Sequence, residues 1–411
     1  MSPVSRGRKS KKKSKKREPA QPRPRAADVT KLGLAEVAQL LGQRTRPVWF
    51  DPALKTVLDG AAALDTAGGP RELEQLTVEL LGAEMYAALQ ESHDGLWFAW
   101  WFEELVAAAA ARVVEEADTG AGRSAFLLLN GLTAVGTPAL ASAASAASRR
   151  VRKLLAGVGL PEWLDDLSQV AGTGEVLRMR DAYGTRFAVL AGFSYGRDRE
   201  PSVFLFDIDA SGIIKLVGAG VFDDIDQAAA AWQTAIGDTA GETMPQPVAD
   251  PRELLCLVHC DIGDEMGIFG DETRVVMDNW FRAERRHHDL AEAPGRRGMP
   301  LPAHESLYHD LDIKPMTDEF TSWYTDTHGA RPAPEALAEL AAEWMEGSIP
   351  ETWYSVSPER VRHHRRLLSD WVQDDPITLA VTALLPDWVA WLSERSGLSK
   401  HLYERVDAVA R

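Results

Sequence analysis

Apolar residues recur every three or four positions along the first part of the chain, the spacing of an amphipathic helix. The segment 33–41 (GLAEVAQLL) has this spacing, and Pro70 opens another such segment, since proline is favoured in a first helical turn. The stretch 95–117 is apolar on nearly all sides, which predicts a helix in the centre of the core. We therefore predict a helical lobe over residues 29–167.

The hydrophobic pattern changes near residue 175, where β-branched and aromatic residues form short runs separated by turn-forming residues. This pattern predicts an antiparallel meander of three or four strands. The following segment, DDIDQAAAAWQTAIG, has an N-capping aspartate and one apolar side, so we expect a helix that covers one face of the sheet. The sheet and this helix make up a predicted unit over residues 168–236.

Residues 237–251 are rich in proline, glycine and aspartate and lack apolar periodicity, which indicates a linker. The chain beyond it, residues 252–411, again has helical spacing and helix-capping signals, such as Ser357 followed by Pro358. The predicted fold class is therefore α+β and mostly helical. It has a helical N-terminal lobe, a small antiparallel sheet with a covering helix, and a helical C-terminal region.

Charge is distributed very unevenly along the chain. The first 25 residues contain eleven lysines and arginines and one acidic residue, whereas the remaining residues contain 34 basic and 60 acidic ones, a net charge of −26. Like charges, together with Pro19, Pro22 and Pro24, predict a disordered basic tail over residues 1–28. Such a tail can contact nucleic acid, ribosomes or another acidic surface. The cationic residues expected to bind nucleic acid are Arg6, Arg8, Lys9, Lys11, Lys12, Lys13, Lys15, Lys16 and Arg17.

Composition also bears on location. The chain has only two cysteines, Cys256 and Cys260, which suits a reducing cytoplasm better than a disulfide-stabilised secreted protein. The basic tail is followed by polar residues, unlike a signal peptide. Residues 125–148 carry no charge, but they are mostly small and include Asn130 and Pro138, so we expect a buried helical hairpin broken near 136–138. We predict a cytoplasmic protein without a membrane span.

Two groups of residues resemble metal sites. Cys256, His259 and Cys260 supply three of the four ligands of a structural zinc site, but their apolar surroundings favour core packing, and no fourth ligand stands at a suitable spacing. His288 and Asp289, with His259 and Asp310, match the ligand types of metal-dependent HD phosphohydrolases. The basic run RAERRH before His288 is atypical of that family and favours a solvated helix instead. We predict no cofactor.

Three further patterns have both a functional and a structural interpretation. Residues 207–212 (DIDASG) imitate the start of a calcium-binding loop, but the flanking strands favour a hairpin turn. The aromatic residues of 97–102 are typical of base-stacking surfaces, but acidic residues follow them, which favours core packing. The cationic segment 360–366 suits an anion site, although salt bridges across an acidic body explain it as well.

The stretch 124–237 combines an Ala/Leu-rich helical pair ending in GVGLPEWL with RDAYGTRFAVLAGFSYG, VFLFDIDASG and AAAAWQTAIG. In this part the chain resembles uncharacterised bacterial proteins from GC-rich genomes. The resemblance implies a fold boundary but no activity and no catalytic residue. From the sequence we favour a non-enzymatic binding or scaffold protein whose tail contacts an acidic partner. One alternative is an HD-type hydrolase that uses the C-terminal histidines and aspartates, and another is a tail that only aids solubility.

Overall fold

A computed structural model of the protein describes residues 46–92, 97–196, 201–212, 214–248, 273–292 and 311–411. The described residues form a mostly helical α+β fold with one small antiparallel sheet, which confirms the predicted fold class. The predicted tail, residues 1–28, lies outside the described residues.

The described part of the N-terminal lobe is a bundle of five helices. Threonines cap two of them, because the side chains of Thr119 and Thr137 accept hydrogen bonds from backbone amides three residues further on. Short 3₁₀ turns connect α1 to α2 and link the bundle to the sheet. The helices are α1 (Phe50–Gly60), α2 (Pro70–Ser92), α3 (Phe98–Glu115), α4 (Gly120–Val135) and α5 (Pro138–Val151).

The sheet has five antiparallel strands in the order β4-β3-β2-β1-β5. Four of them form the predicted meander, and the fifth is a two-residue strand within the predicted linker. Residues 239–248 also bond to β1 and its turn through the backbone, with Ala182 donating to Thr239 at 2.7 Å. These bonds place residues 239–248 along the edge of the sheet. The division of the chain into domains stays a prediction. The strands are β1 (Val170–Arg180), β2 (Arg186–Tyr195), β3 (Ser202–Asp209), β4 (Lys215–Phe222) and β5 (Gln246–Pro247).

The central strands of the sheet are buried on both sides, because helices cover both of its faces. Helix α6 (Ile225–Ile236) packs Ala228, Trp232 and its other apolar residues against one face, as predicted. Helix α7 (Arg274–Ala291) packs Ala283 and Leu290 against the other face. The opposite side of α7 places Met277 and Phe281 in the core of the N-terminal lobe. Helix α7 therefore joins the lobe to the sheet.

The C-terminal region is a second helical bundle with its own core, built around Phe320, Trp344 and Trp388. It rests on the turn between β1 and β2, since Tyr183 of that turn is part of the same core. An ion pair between Arg178 and Glu351 links the two regions. The helices are α8 (Lys314–His328), α9 (Pro334–Met345), α10 (Pro358–Ser369), α11 (Pro376–Arg395) and α12 (Lys400–Ala410).

Residues 125–148 form the expected helical hairpin, α4 and α5, and α4 lies in the core of the lobe. Within the described part of the chain, α11 alone is long and apolar enough to cross a membrane. Half of its apolar stretch is buried inside the protein, as in the core helix of a soluble protein.

Candidate functional site

Several residues that the sequence pointed to lie outside the described residues. These are the cationic tail residues, the Cys256–Cys260 segment and Asp310. Binding by the tail and the zinc interpretation therefore stay predictions.

His288 and Asp289 lie near the end of α7 and have different environments. His288 is exposed, whereas Asp289 is buried and accepts hydrogen bonds from Arg285 at 2.9 Å and Arg286 at 2.6 Å. The expectation of a solvated helix here was wrong, because Arg282 and Arg286 are at most 1% exposed. No group of three metal-ligating side chains occurs among the residues that the structure describes.

The buried arginines of α7 belong to an ionic cluster at the junction of the lobe, the sheet and α7. Arg286 donates to both carboxylate oxygens of Glu74 on α2, at 2.6 and 2.7 Å. The hydroxyl of Tyr195, at the end of β2, donates to the same carboxylate at 2.5 Å. Arg282 donates to Gln75 at 2.9 Å. Side chains from α2, α7 and β2 therefore meet at the Glu74 carboxylate.

Burial and neighbouring charges shift the pKa values of Tyr195 and Arg286 in this cluster. Burial and the adjacent Glu74 carboxylate raise the pKa of Tyr195, so its hydroxyl keeps its proton. Burial opposes the charge on Arg286, but the interactions with Glu74, Tyr195 and Asp289 together outweigh it, so the pKa of Arg286 is raised. Guanidinium groups of α7 pair with both carboxylates of the cluster, Glu74 and Asp289. The hydrogen bonds of the cluster connect the lobe, the sheet and α7, and we call this contact the joint.

A shallow pocket of about 380 Å³ adjoins this joint, lined by residues 68–72 at the start of α2, by Tyr195 and by Ser202. The pocket holds charges of both signs. Arg71 pairs with Asp223 at 2.5 Å, and the carboxylate of Glu72 accepts from the backbone amide of Gly68 at 2.6 Å. The side chains of Arg71 and Glu72 at the start of α2 therefore both have partners within the protein.

Glu74 and Tyr195 were missed in the sequence analysis, although α2 contains a signal for the first. Glu74 follows Leu73, and Thr77, Val78 and Leu81 lie three, four and seven positions beyond Glu74, so it falls within the apolar stripe of the helix. An acidic residue at such a position predicts a buried partner, because an unpaired buried charge is strongly destabilising.

The DIDASG motif is a hairpin turn, as expected, and its first aspartate has a structural partner. Asp207 is buried and accepts from the Nε of Arg186 at 2.8 Å and from the indole of Trp232 at 2.9 Å. Asp209 accepts from the backbone amide of Ser211 at 2.9 Å and so stabilises the turn. The calcium-loop interpretation has no support here, because both carboxylates already serve the hairpin.

The aromatic residues of 97–102 pack in the core of the N-terminal lobe, which confirms the structural interpretation. Trp101 is fully buried and packs edge-on against Phe102 and Trp49. Phe102 in turn contacts Phe281 of α7, with ring centroids 4.5 Å apart. These rings therefore help to hold α7 against the lobe.

The cationic segment 360–366 forms most of α10, but its residues do not share one face. Arg360 and His364 point into the C-terminal core, whereas Arg362, Arg365 and Arg366 are exposed. Arg360 donates to the backbone carbonyls of Thr352 at 2.5 Å and Trp344 at 2.6 Å. The expected salt bridges therefore do not involve Arg360, which instead stabilises the last carbonyl groups of α9.

Comparisons of the chain with protein-family models, with curated proteins and with solved structures find no significant match. The functional argument therefore depends on the residues themselves.

Proposed function

We propose that this chain is a non-enzymatic binding protein whose basic N-terminal segment neutralises the phosphates of nucleic acid. One observation carries the proposal, namely the concentration of eleven cationic residues within the first 25 positions of a chain that is otherwise strongly acidic. Such a segment attracts polyanions by electrostatics and by the release of their counterions.

The composition of the segment supports binding without sequence preference. Residues 1–28 contain no aromatic residue, so stacking on bases has no platform there. Lysine and arginine side chains that bind phosphates fix position but do not read sequence. The acidic remainder of the chain opposes close approach of nucleic acid, so we expect binding to be weak at physiological salt.

The structure of the described body agrees with a supporting role. Its most perturbed ionisable groups, such as Tyr195, Arg286 and Arg360, make contacts within the chain that join one element to another. Perturbed pKa values mark catalytic sites when such groups line a cleft, but they also occur in structural ion pairs. Arg286 of α7 lies in such an ion pair with Glu74, and Arg360 of α10 bonds to backbone carbonyl groups within the chain.

A pull-down tests the proposal. The full chain and a variant with glutamine at the nine cationic positions between Arg6 and Arg17 are each incubated with an immobilised random duplex at about 50 mM salt, where phosphate contacts are strong. We expect the full chain to be retained and the glutamine variant, which has the same length, to be lost. A variant with the same tail residues in scrambled order is the matched control and should be retained.

Two results would contradict the proposal. Equal retention of the glutamine variant would place the binding surface in the folded body. A stoichiometric divalent metal in protein purified without added metal, together with phosphate-ester hydrolysis, would support the HD-type hydrolase instead.

A further inference from the structure

Helix α10 contacts the turn between β3 and β4 through an imidazole ring. A Cβ atom placed on Gly212 of this turn would lie 2.7 Å from Cγ of His363, so the glycine backbone lies directly against the ring. This contact joins the C-terminal bundle to the sheet, although Gly212 and His363 are far apart in the sequence.

The next residue, His364, faces the interior of the C-terminal bundle. Its ring is 3% exposed and stacks on Trp344, with centroids 4.4 Å apart and an angle of 19° between the planes. Its Nε2 atom has no hydrogen-bond partner within the described part of the chain. A neutral ring fits this site, whereas a protonated ring would bury a second N–H and a positive charge.

The charged groups that act on the two rings are all cationic. They are Arg360 and Arg366 of α10 and Lys215 of β4. Arg360 is completely buried, and the hydrogen bonds described for its side chain go to carbonyl and hydroxyl oxygens. The nearby Asp209 carboxylate accepts from the amide of Ser211 within the turn. Protonation of either histidine therefore adds a positive charge to a positive cluster.

From this geometry we propose that His363 and His364 form an acid-sensitive switch: when neutral, His363 packs against the β3–β4 turn and His364 stacks on Trp344 of α9, and when protonated they release α10 from both contacts. The proposal goes beyond nucleic-acid binding and concerns a movement of α10 relative to the sheet and to the rest of the C-terminal bundle.

The direction of the pH effect follows from the environment of the rings. Burial, with the adjacent cations, lowers the pKa of His363 below its ordinary value of 6.5, and burial with Arg360 lowers the pKa of His364 well below it. The opened state, with solvated rings, therefore binds protons more readily than the closed state. The closed contact has its full stability above about pH 6.5 and loses stability as the pH falls below that value.

Hydrogen exchange tests the switch at pH 7.5 and pH 5.5, after correction for the intrinsic pH dependence of exchange. We expect peptides from the β3–β4 hairpin and α10 to lose protection by about tenfold or more at pH 5.5, because one histidine can shift the equilibrium by up to tenfold per pH unit. Peptides from α1 serve as an internal reference. A parallel loss of protection in α1 would mean global unfolding and would overturn the proposal.

The double variant His363→Gln, His364→Phe removes both charges, and phenylalanine keeps a ring against Trp344. We expect it to keep its protection at pH 5.5. If the double variant does not fold, His363→Gln alone should lose less protection than the unmodified chain. His288→Gln changes an exposed histidine of α7 and should respond like the unmodified chain. An unchanged response in the folded His363 and His364 variants would overturn the proposal.

Discussion

Glu74 and Arg286 are 212 residues apart in sequence and share a buried contact with two hydrogen bonds. The Glu74 carboxylate also accepts from Tyr195, and the Arg286 guanidinium also donates to Asp289. Several hydrogen bonds of good geometry therefore offset the cost of removing these charges from water. The pairing therefore connects α2, α7 and β2 at one buried point.

Replacing Glu74 by glutamine tests this contact. The change removes the negative charge and leaves Arg286 buried with Asp289 as its remaining acidic partner, so we expect the free energy of unfolding to fall by about 3–5 kcal/mol. Chemical denaturation followed by far-UV circular dichroism measures the change. Glu79→Gln is the matched control on the exposed side of the same helix and should alter stability by less than about 0.5 kcal/mol. Similar stabilities for the two variants would show that the ionic cluster contributes little.

Arg360 illustrates another way to bury a guanidinium group. Its described partners are neutral oxygens at the end of α9 and in the following turn, and the ring of Trp344 lies 4.6 Å from its central carbon atom. Burial lowers the pKa of Arg360 to about 9, which still leaves it charged at neutral pH. The partial negative charge of the α9 carbonyl groups and the tryptophan face therefore take the place of a carboxylate.

Helix α7 has two buried sides, which makes it the main connection between the N-terminal lobe and the sheet. Phe281 and Met277 enter the core of the lobe, and Ala283 and Leu290 enter the core of the sheet. Because the same helix is shared by both cores, we expect the lobe and the sheet to unfold together.

Phe281→Ala tests the role of this helix. The change leaves a cavity where Phe281 packs against Phe102, so we expect a loss of about 3–5 kcal/mol in the free energy of unfolding. Val275→Ala is the control, since Val275 lies in the first turn of α7 and is 54% exposed. The unfolding of the lobe and the sheet should remain a single transition in the control. Two separated transitions in the unmodified chain would contradict the shared-core account.

The periodicity of the sequence predicts most of these elements. The lobe helices predicted from residue 70 onward, the four-stranded meander and its covering helix are found, because each depends on local spacing. The helix predicted over 33–41 lies outside the described residues. Strand β5 was not predicted, since it has only two residues, Gln246 and Pro247, and pairs with the edge that β1 leaves open. The burial of Arg282 and Arg286 was also missed, because their position depends on α2, far away in sequence.

At the scale of the whole molecule, charge separates a basic segment from an acidic body. The proposed binding segment precedes the first described residue, whereas the contacts of α7 and the ionic cluster lie within the described body. Binding and folding are therefore assigned to different parts of the chain.

Deleting residues 1–28 tests this separation. We expect the melting temperature at about 150 mM salt to change by less than about 2 °C, because like charges and prolines disfavour packing of the segment and salt screens its attraction to the body. Differential scanning calorimetry measures the change. A drop of more than a few degrees would mean that the segment docks on the acidic body and contributes to its stability.

The salt dependence of nucleic-acid binding tests the central claim most directly. Fluorescence anisotropy gives the affinity for a random duplex between about 50 and 200 mM salt, for the full chain and for the chain without residues 1–28. If the segment engages about six to ten phosphates, the logarithm of the affinity should fall against the logarithm of salt with a slope of about −5 to −9. The shortened chain should show no measurable binding. A shallow slope, or binding that survives the deletion, would contradict the proposed function.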